Sequence, residues 1–209
     1  PYALSVKAVR YDEDDREDVT SFLNFSNCTN FGPRVHLSGS STGCASGGTA
    51  VVAGAAGLVV SAGLDTGVDP PLPPSEVIQL LIATADDIDV PESLGPDADP
   101  EKYPSHPGFD LYFGYGRINV GRAVEAVRDR RIPPALVLDE PPWFEPIHAG
   151  SVGSIPVVGR IQARQAGVTV TVSWAPGADP RDTEFDELAH FQLSGSGYDG
   201  LMADLPISK

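Results

Sequence analysis

Four kinds of residue in this chain could do chemistry. A serine, Ser46, stands in the small-residue turn "GCASGG" (43–48), directly ahead of a long aliphatic run. Four histidines (His36, His106, His148 and His190) are scattered along the chain, carboxylates cluster in "DEDDRED" (12–18), and there are two cysteines, Cys28 and Cys44. A serine becomes a nucleophile only beside a base and a group that orients that base. His36 belongs to an apparent strand, His148 to a proline-rich stretch and His190 to a β-rich segment, which leaves His106, in an acidic loop, as the open case. The carboxylate cluster reads as a solvated loop. A structural calcium is its alternative reading, although the ligand spacing matches no defined calcium loop. Two cysteines are too few for a disulfide scaffold or a zinc site, and they leave one bridge open.

The stretch "STGCASGGTAVVAGAAGLVVSAG" (41–63) admits several readings. As a membrane span it falls short, because its purely small and apolar part, 47–63, has 17 residues, five of them Gly and five Ala. A span needs about 20 residues with stronger hydrophobes. As a phosphate loop it lacks the lysine that reaches the phosphates. It reads best as a buried helix beginning near Ser46 and ending near Ser61. At the start of such a helix, unpaired backbone N–H groups and the positive end of the dipole favour a developing oxyanion. An ordinary N-cap serine would look the same locally.

The elements that would hold this helix follow from periodicity. "YALSVKAVRY" (2–11) alternates apolar and polar residues, as a half-buried strand does, and "RVHLSG" (34–39) reads as a second short strand. A second helix spans "PPSEVIQLLIATADD" (73–87), with prolines and Ser75 at its start and Val77, Leu80, Leu81 and Thr84 on one face. A third begins at the N-cap Asn119, with an apolar stripe of Val120, Ala123, Val124 and Val127. A long acidic loop, 87–110, separates them. Residues 132–154 hold five prolines between 133 and 146 and read as a linker. Beyond it, "IPVVGRIQARQAGVTVTVSWAPG" (155–177) reads as two strands with a turn at Gln165–Gly167, and "HFQLSG" (190–195) as a further strand. This is a partial β-sandwich-like module over 155–209, short for a complete one.

The composition, 41% hydrophobic and 21% charged, is that of a globular chain. The formal net charge of −15 argues against nucleic acid and against an anionic membrane face as partners. The chain begins at Pro1, with no leader-like segment, and reads as a fragment of a longer protein.

Four blocks resemble one family in the same order. "SGGTAVVAGAAGLVVSA" (46–62) is similar to the nucleophile helix of subtilisin-like serine proteases, whose pattern is G-T-S-x-A-x-P-x-V-A-G-A. Aligned on V-A-G-A-A, Ser46 falls on the nucleophile. "FSNCTNFGPRVHLSG" (25–39) resembles the family's F-S-N-x-G block and the strand after it. "SEVIQLLIATADD" (75–87) resembles its next helix, and "FGYGRINVGRAVEAV" (113–127) its closing G-x-G block. Departures lie at Cys44–Ala45, where the family has G-T, and at Ala50, where it has Pro. Asp65, in "LDTG" (64–67), looks like the family's aspartate motif, but it follows the serine and reads as a turn.

The resemblance implies an α/β fold: residues 1–131 as the C-terminal portion of a subtilisin-like parallel-sheet domain with a buried nucleophile helix. It implies peptide-bond hydrolysis through an acyl-enzyme on Ser46, with a polypeptide as substrate. The Asp, the His and the oxyanion asparagine would come from the upstream part of the same domain. It also implies an extracellular or cell-envelope location, with no cofactor beyond the calcium named above. The alternative is an inactive form of the fold, kept as a scaffold or binding module.

Overall fold

The computed structural model describes residues 4–10, 24–25, 28–41, 44–89, 103–142, 146–148 and 153–207. The acidic cluster at 12–18 and the middle of the acidic loop fall outside the described residues. The chain is mixed α/β, with three helices and three small sheets, and divides into two units.

The first unit takes Pro1–Ile132 together with Gly177–Thr183. Strand β1 (Val6–Arg10) pairs in parallel with β3 (Leu37–Ser40), Val6 opposite Leu37 and Val9 opposite Ser40. On its other side β1 pairs antiparallel with the short β2 (Asn24–Phe25). The alternation expected for a half-buried strand does not hold, because Lys7, Ala8 and Val9 are all fully buried. A central strand flanked on both edges and covered on both faces has no solvent side, and its polar residue goes inside with the rest. The sheet is extended beyond β3 by the closing block. Ser38 N–H donates to Gly116 O and Ile118 N–H to Ser38 O, both at 2.9 Å, while Asp86 and Arg117 exchange two backbone bonds at 2.7 Å. Gly116 has φ +106°, and a Cβ there would run into the Asp86 carbonyl, which explains the second glycine of "GYG".

Helix α1 (Ala45–Asp65) lies on this sheet through a stripe of Gly48, Val52, Ala55, Val59 and Ala62. Val52, Ala55, Val59 and Ala62 share a core with Leu37, Leu80, Leu81, Ile118, Ala123 and Val127. Helix α2 (Pro74–Ala83) starts with proline in its first turn and ends where the Thr84 hydroxyl donates to Leu80 O. Helix α3 (Val120–Arg128) is capped by Asn119, whose side chain accepts from Arg122 N–H at 3.0 Å. The "LDTG" stretch is the end of α1. Thr66 N–H donates to Ala62 O and Gly67 N–H to Leu64 O, the bonds of a helix C-terminus.

The buried helix expected at 46–61 is only partly so. Val51, Leu58, Val60 and Leu64 on α1 are exposed, because the described residues cover it on one side. Among the described residues, α1 is the one helix long and apolar enough to cross a membrane. It has 21 residues, and an 18-residue stretch within it has a mean hydropathy of 1.7, with a third of that stretch buried. The strand pairs of the first sheet are one parallel and one antiparallel, a smaller parallel sheet than the resemblance implies.

The second unit takes Pro133–Pro176 and Glu184–Lys209. Residues expected as linker supply a strand here, β4 (Ala135–Glu140), since "ALVLDE" follows the prolines and its backbone pairs with β5 (Ser154–Gln162). β5 also pairs with β8 (Gly197–Pro206), a strand without a sequence forecast. The two strands expected around Gln165–Gly167 are β5 and β6 (Thr169–Trp174), but they lie in different sheets, and β6 pairs with β7 (Asp186–Gln192). The valine alternation holds: Val168, Val170 and Val172 pack with Phe191 against Ile161, Leu193 and Met202.

Candidate active site at the head of the first helix

Ser46 stands in the first turn of α1 and is exposed. Three features hold that turn. Its N-cap is Cys44, joined by a disulfide to Cys28, with 5.1 Å between the two Cα atoms. Gly47 N–H donates to Cys44 O at 2.9 Å, and a Cβ at Gly47 would run into the Ser41 hydroxyl. Two residues past Ser46, a Cβ on Gly48 would lie 2.8 Å from Lys7 O, and one on Gly39 would lie 2.7 Å from Gly48 O. The backbone of α1 therefore rests directly on β1 and β3.

Ser41, just past the end of β3, donates its N–H to Val9 O near the end of β1. The head of α1 is thus at the carboxyl ends of two parallel strands, where α/β sheets place their ligands. The first turn carries no acidic residue. Its leading N–H groups have no partner within the helix, and no carboxylate of that turn offsets the dipole end. An exposed hydroxyl beside such donors has the local requirements of a nucleophile next to an oxyanion site.

Among the described residues, no hydrogen bond joins Ser46 to a histidine of its own unit, and the bonds that His36, His106 and His190 make go to other groups. His36 accepts Ser5 N–H on Nδ1 at 3.1 Å, and His190 on β7 faces the Thr171 hydroxyl at 3.3 Å. His106, the open case, is buried, with Nε2 3.5 Å from Asp179 Oδ1 and Nδ1 3.1 Å from Pro107 O. That histidine–aspartate pair lies across the sheet from Ser46. Side chains alternate along β1. Lys7 Nζ sits over the Phe113 ring at 4.4 Å and Val9 packs with Phe113 and Ile88, so these two share one face. Gly48 of α1 meets the backbone on the other.

The cluster on that far face was not anticipated. Asp110 is 1% exposed; its Oδ1 accepts Tyr112 and Phe113 N–H, both at 2.7 Å. Burial pushes its carboxyl up to about 7, against the pull of those two N–H groups. Burial also brings the Lys7 ammonium down to about 7, with the Asp110 charge opposing. Asp179, which also accepts Leu111 N–H at 3.0 Å, is 69 residues from Asp110 and gives no local signal in the sequence. A signal for Asp110 did exist: an aspartate heading "DLYF" is a turn-forming residue that bonds the N–H groups following it.

Among the described residues no group of three or more His, Cys, Asp or Glu could hold a metal ion. In comparisons with known proteins, no protein-family model and no curated protein matches the chain.

Proposed function

We propose that this chain is the C-terminal portion of a subtilisin-like serine endopeptidase domain with Ser46 as its nucleophile. The observation that carries the reading is the placement of Ser46: an exposed serine in the first turn of a 21-residue helix, at the carboxyl ends of a parallel strand pair. Four sequence blocks in family order agree with it. The apolar residues on the open side of α1, Leu58 and Val60 among them, favour a further layer of the same domain packing there. So does the apolar groove of about 520 Å³ lined by Val52, Ala56, Val60, Leu72 and Val77. The Cys28–Cys44 bridge favours an extracellular or cell-envelope setting.

In this reading the Ser46 Oγ attacks the scissile carbonyl carbon, and an upstream histidine takes its proton. The carbonyl oxygen becomes an oxyanion held by the Ser46 N–H and an upstream asparagine. The amine leaves with the histidine's proton, and water then releases the acyl group.

The rival reading is an inactive scaffold with the same fold. The replacements at Cys44, Ala45 and Ala50 favour it. One experiment separates the two. A fluorophosphonate probe applied to the full-length protein labels Ser46 in an active peptidase, and Ser46→Ala abolishes both labelling and hydrolysis of a denatured protein. Labelling that survives Ser46→Ala sinks the assignment. A folded full-length protein that takes up no probe favours the scaffold.

A further inference from the structure

We infer that the Cys28–Cys44 disulfide is the positioning device for Ser46, so that reducing it releases the head of α1 while the rest of the unit stays folded. The inference rests on the peptidase reading above for its catalytic consequence, but the geometry stands independently of it.

Cys44 is the N-cap of α1, and its side chain makes no capping hydrogen bond; it is bridged to Cys28 instead. A helix start normally takes its stability from a side-chain oxygen on the N2 or N3 N–H. Here that anchor is covalent, and it ties Cys44 to a segment that is itself fastened. The residue after Cys28, Thr29, accepts Ala8 N–H on its hydroxyl at 3.3 Å. Ala8 is also the residue whose Cα lies 3.3 Å from a Cβ built on Gly48. The chain therefore closes a small circuit, from Ala8 through Thr29, Cys28, Cys44 and Ser46 to Gly48 and back to Ala8.

Ser46 sits midway along this circuit, between one covalent and one close-packed anchor. Farther along α1, Val52, Ala55 and Val59 are held by the apolar core, which does not involve the bridge. Cutting the bridge thus removes the covalent anchor from the serine's turn and none of the core contacts of the helix body. A nucleophile works only when its oxygen is held close to the productive geometry, and a displacement of about 1 Å can lower the rate a hundredfold.

Reduction by a dithiol such as dithiothreitol breaks the S–S bond. The dithiol gives up two electrons and two protons, yielding two cysteine thiols and a cyclic disulfide. The test pairs two readouts on the full-length protein, before and after this reduction, with mass spectrometry verifying the thiols. Hydrogen exchange at amides 49–51, whose helical bonds reach back to the carbonyls of 45–47, is expected to quicken by about tenfold or more, while that at 55–62 stays the same. The rate of fluorophosphonate labelling at Ser46 is expected to fall by about a hundredfold and to return on reoxidation. The C28A/C44A variant should behave as the reduced protein and ignore dithiothreitol. Should that variant fail to fold, reduction of the folded wild-type protein still decides the question.

Unchanged exchange at 49–51 with labelling intact overturns this proposal alone. Exchange that quickens equally along all of α1 also overturns it, since the bridge would then be a general staple. Failure of the oxidised protein to label at Ser46 overturns the peptidase reading and takes the catalytic consequence with it.

Discussion

Gly48 of α1 rests on the backbone of Lys7 in β1: a Cβ at Gly48 would lie 2.8 Å from Lys7 O and 3.3 Å from Ala8 Cα. The neighbours are main chain in the centre of a sheet and have no rotamer to change. Gly48→Ala must therefore lift the first turn of α1 off the sheet, at a cost of about 1–3 kcal/mol. Gly54→Ala, which meets nothing within 4 Å, should instead be neutral or slightly stabilising. Urea denaturation of the two variants side by side measures the difference. Equal midpoints would show that α1 does not sit on β1 in this way.

The same contact separates what the sequence could tell from what it could not. The stripe of α1 was legible because apolar spacing at three and four residues survives in any helix that packs on one side. Asn119 as a cap was legible for the same local reason. Lys7 was not: its place in "VKAV" looks like the wet side of a strand, and only the flanking of β1 by β2 and β3 decides otherwise. β4 was hidden by the prolines around it, and the separation of β5 from β6 depends on partners, β8 and β7, that come later in the chain. For the site, the serine and its helix could be read from small residues at fixed spacing. The covalent tie from Cys28 to the N-cap depends on folding distance, which two cysteines in a sequence do not give.

Asp86 draws together the end of the α2 segment and the start of α3. It accepts from Asn119 Nδ2 at 3.0 Å and from Arg122 Nη1 at 2.9 Å, with Arg117 Nη2 at 3.5 Å. Burial by itself would raise its pKa, but the bonds from Asn119 and Arg122 and the charge of Arg117 outweigh it, leaving the carboxyl below 3.8. Its contribution is therefore present above the unfolded value and is lost as pH falls through the lower folded one. Asn119→Ala removes both the cap and one of these donors and should cost about 1–2 kcal/mol at neutral pH. Asn119→Asp should keep the cap but set two carboxylates together, and so fall between the wild type and the alanine variant. Thermal melts at pH 7 and pH 3.5 report both effects.

His36 gives a second group of the same sign in the same unit, acting at higher pH. Its Nδ1 accepts Ser5 N–H, so the bond exists only with the ring neutral on that nitrogen. Burial, helped by the Arg34 charge, lowers its pKa below 6.5. The unfolded chain therefore takes up a proton before the folded one does, and stability falls as pH drops from about 6.5 through the folded value. An NMR titration of the His36 ring should give a midpoint below that of an exposed histidine. His36→Phe should flatten this part of the stability profile.

Lys7 and Asp110 shape the profile around neutrality, and they do so in opposite directions. Between the ordinary carboxylate value of 3.8 and about 7, folded Asp110 keeps a proton that the unfolded chain has released, so its contribution weakens as pH rises. Between about 7 and 10.5, the unfolded chain holds the Lys7 proton that the folded protein has given up, and stability climbs with pH. The groups facing this pair are Phe113 beneath the ammonium, the Tyr112 and Phe113 N–H groups on the carboxylate, and His106 with Asp179 beyond. Lys7→Met keeps the length of the side chain and removes the charge, so it should abolish the rise above pH 7 and raise stability at neutral pH. Asp110→Asn should abolish the fall below pH 7 while keeping an oxygen for the Tyr112 and Phe113 N–H groups. Urea midpoints measured from pH 5 to pH 10 on the wild type and both variants read these slopes directly. A Lys7→Met protein with the wild-type slope above pH 7 would show that Lys7 stays charged in the folded chain.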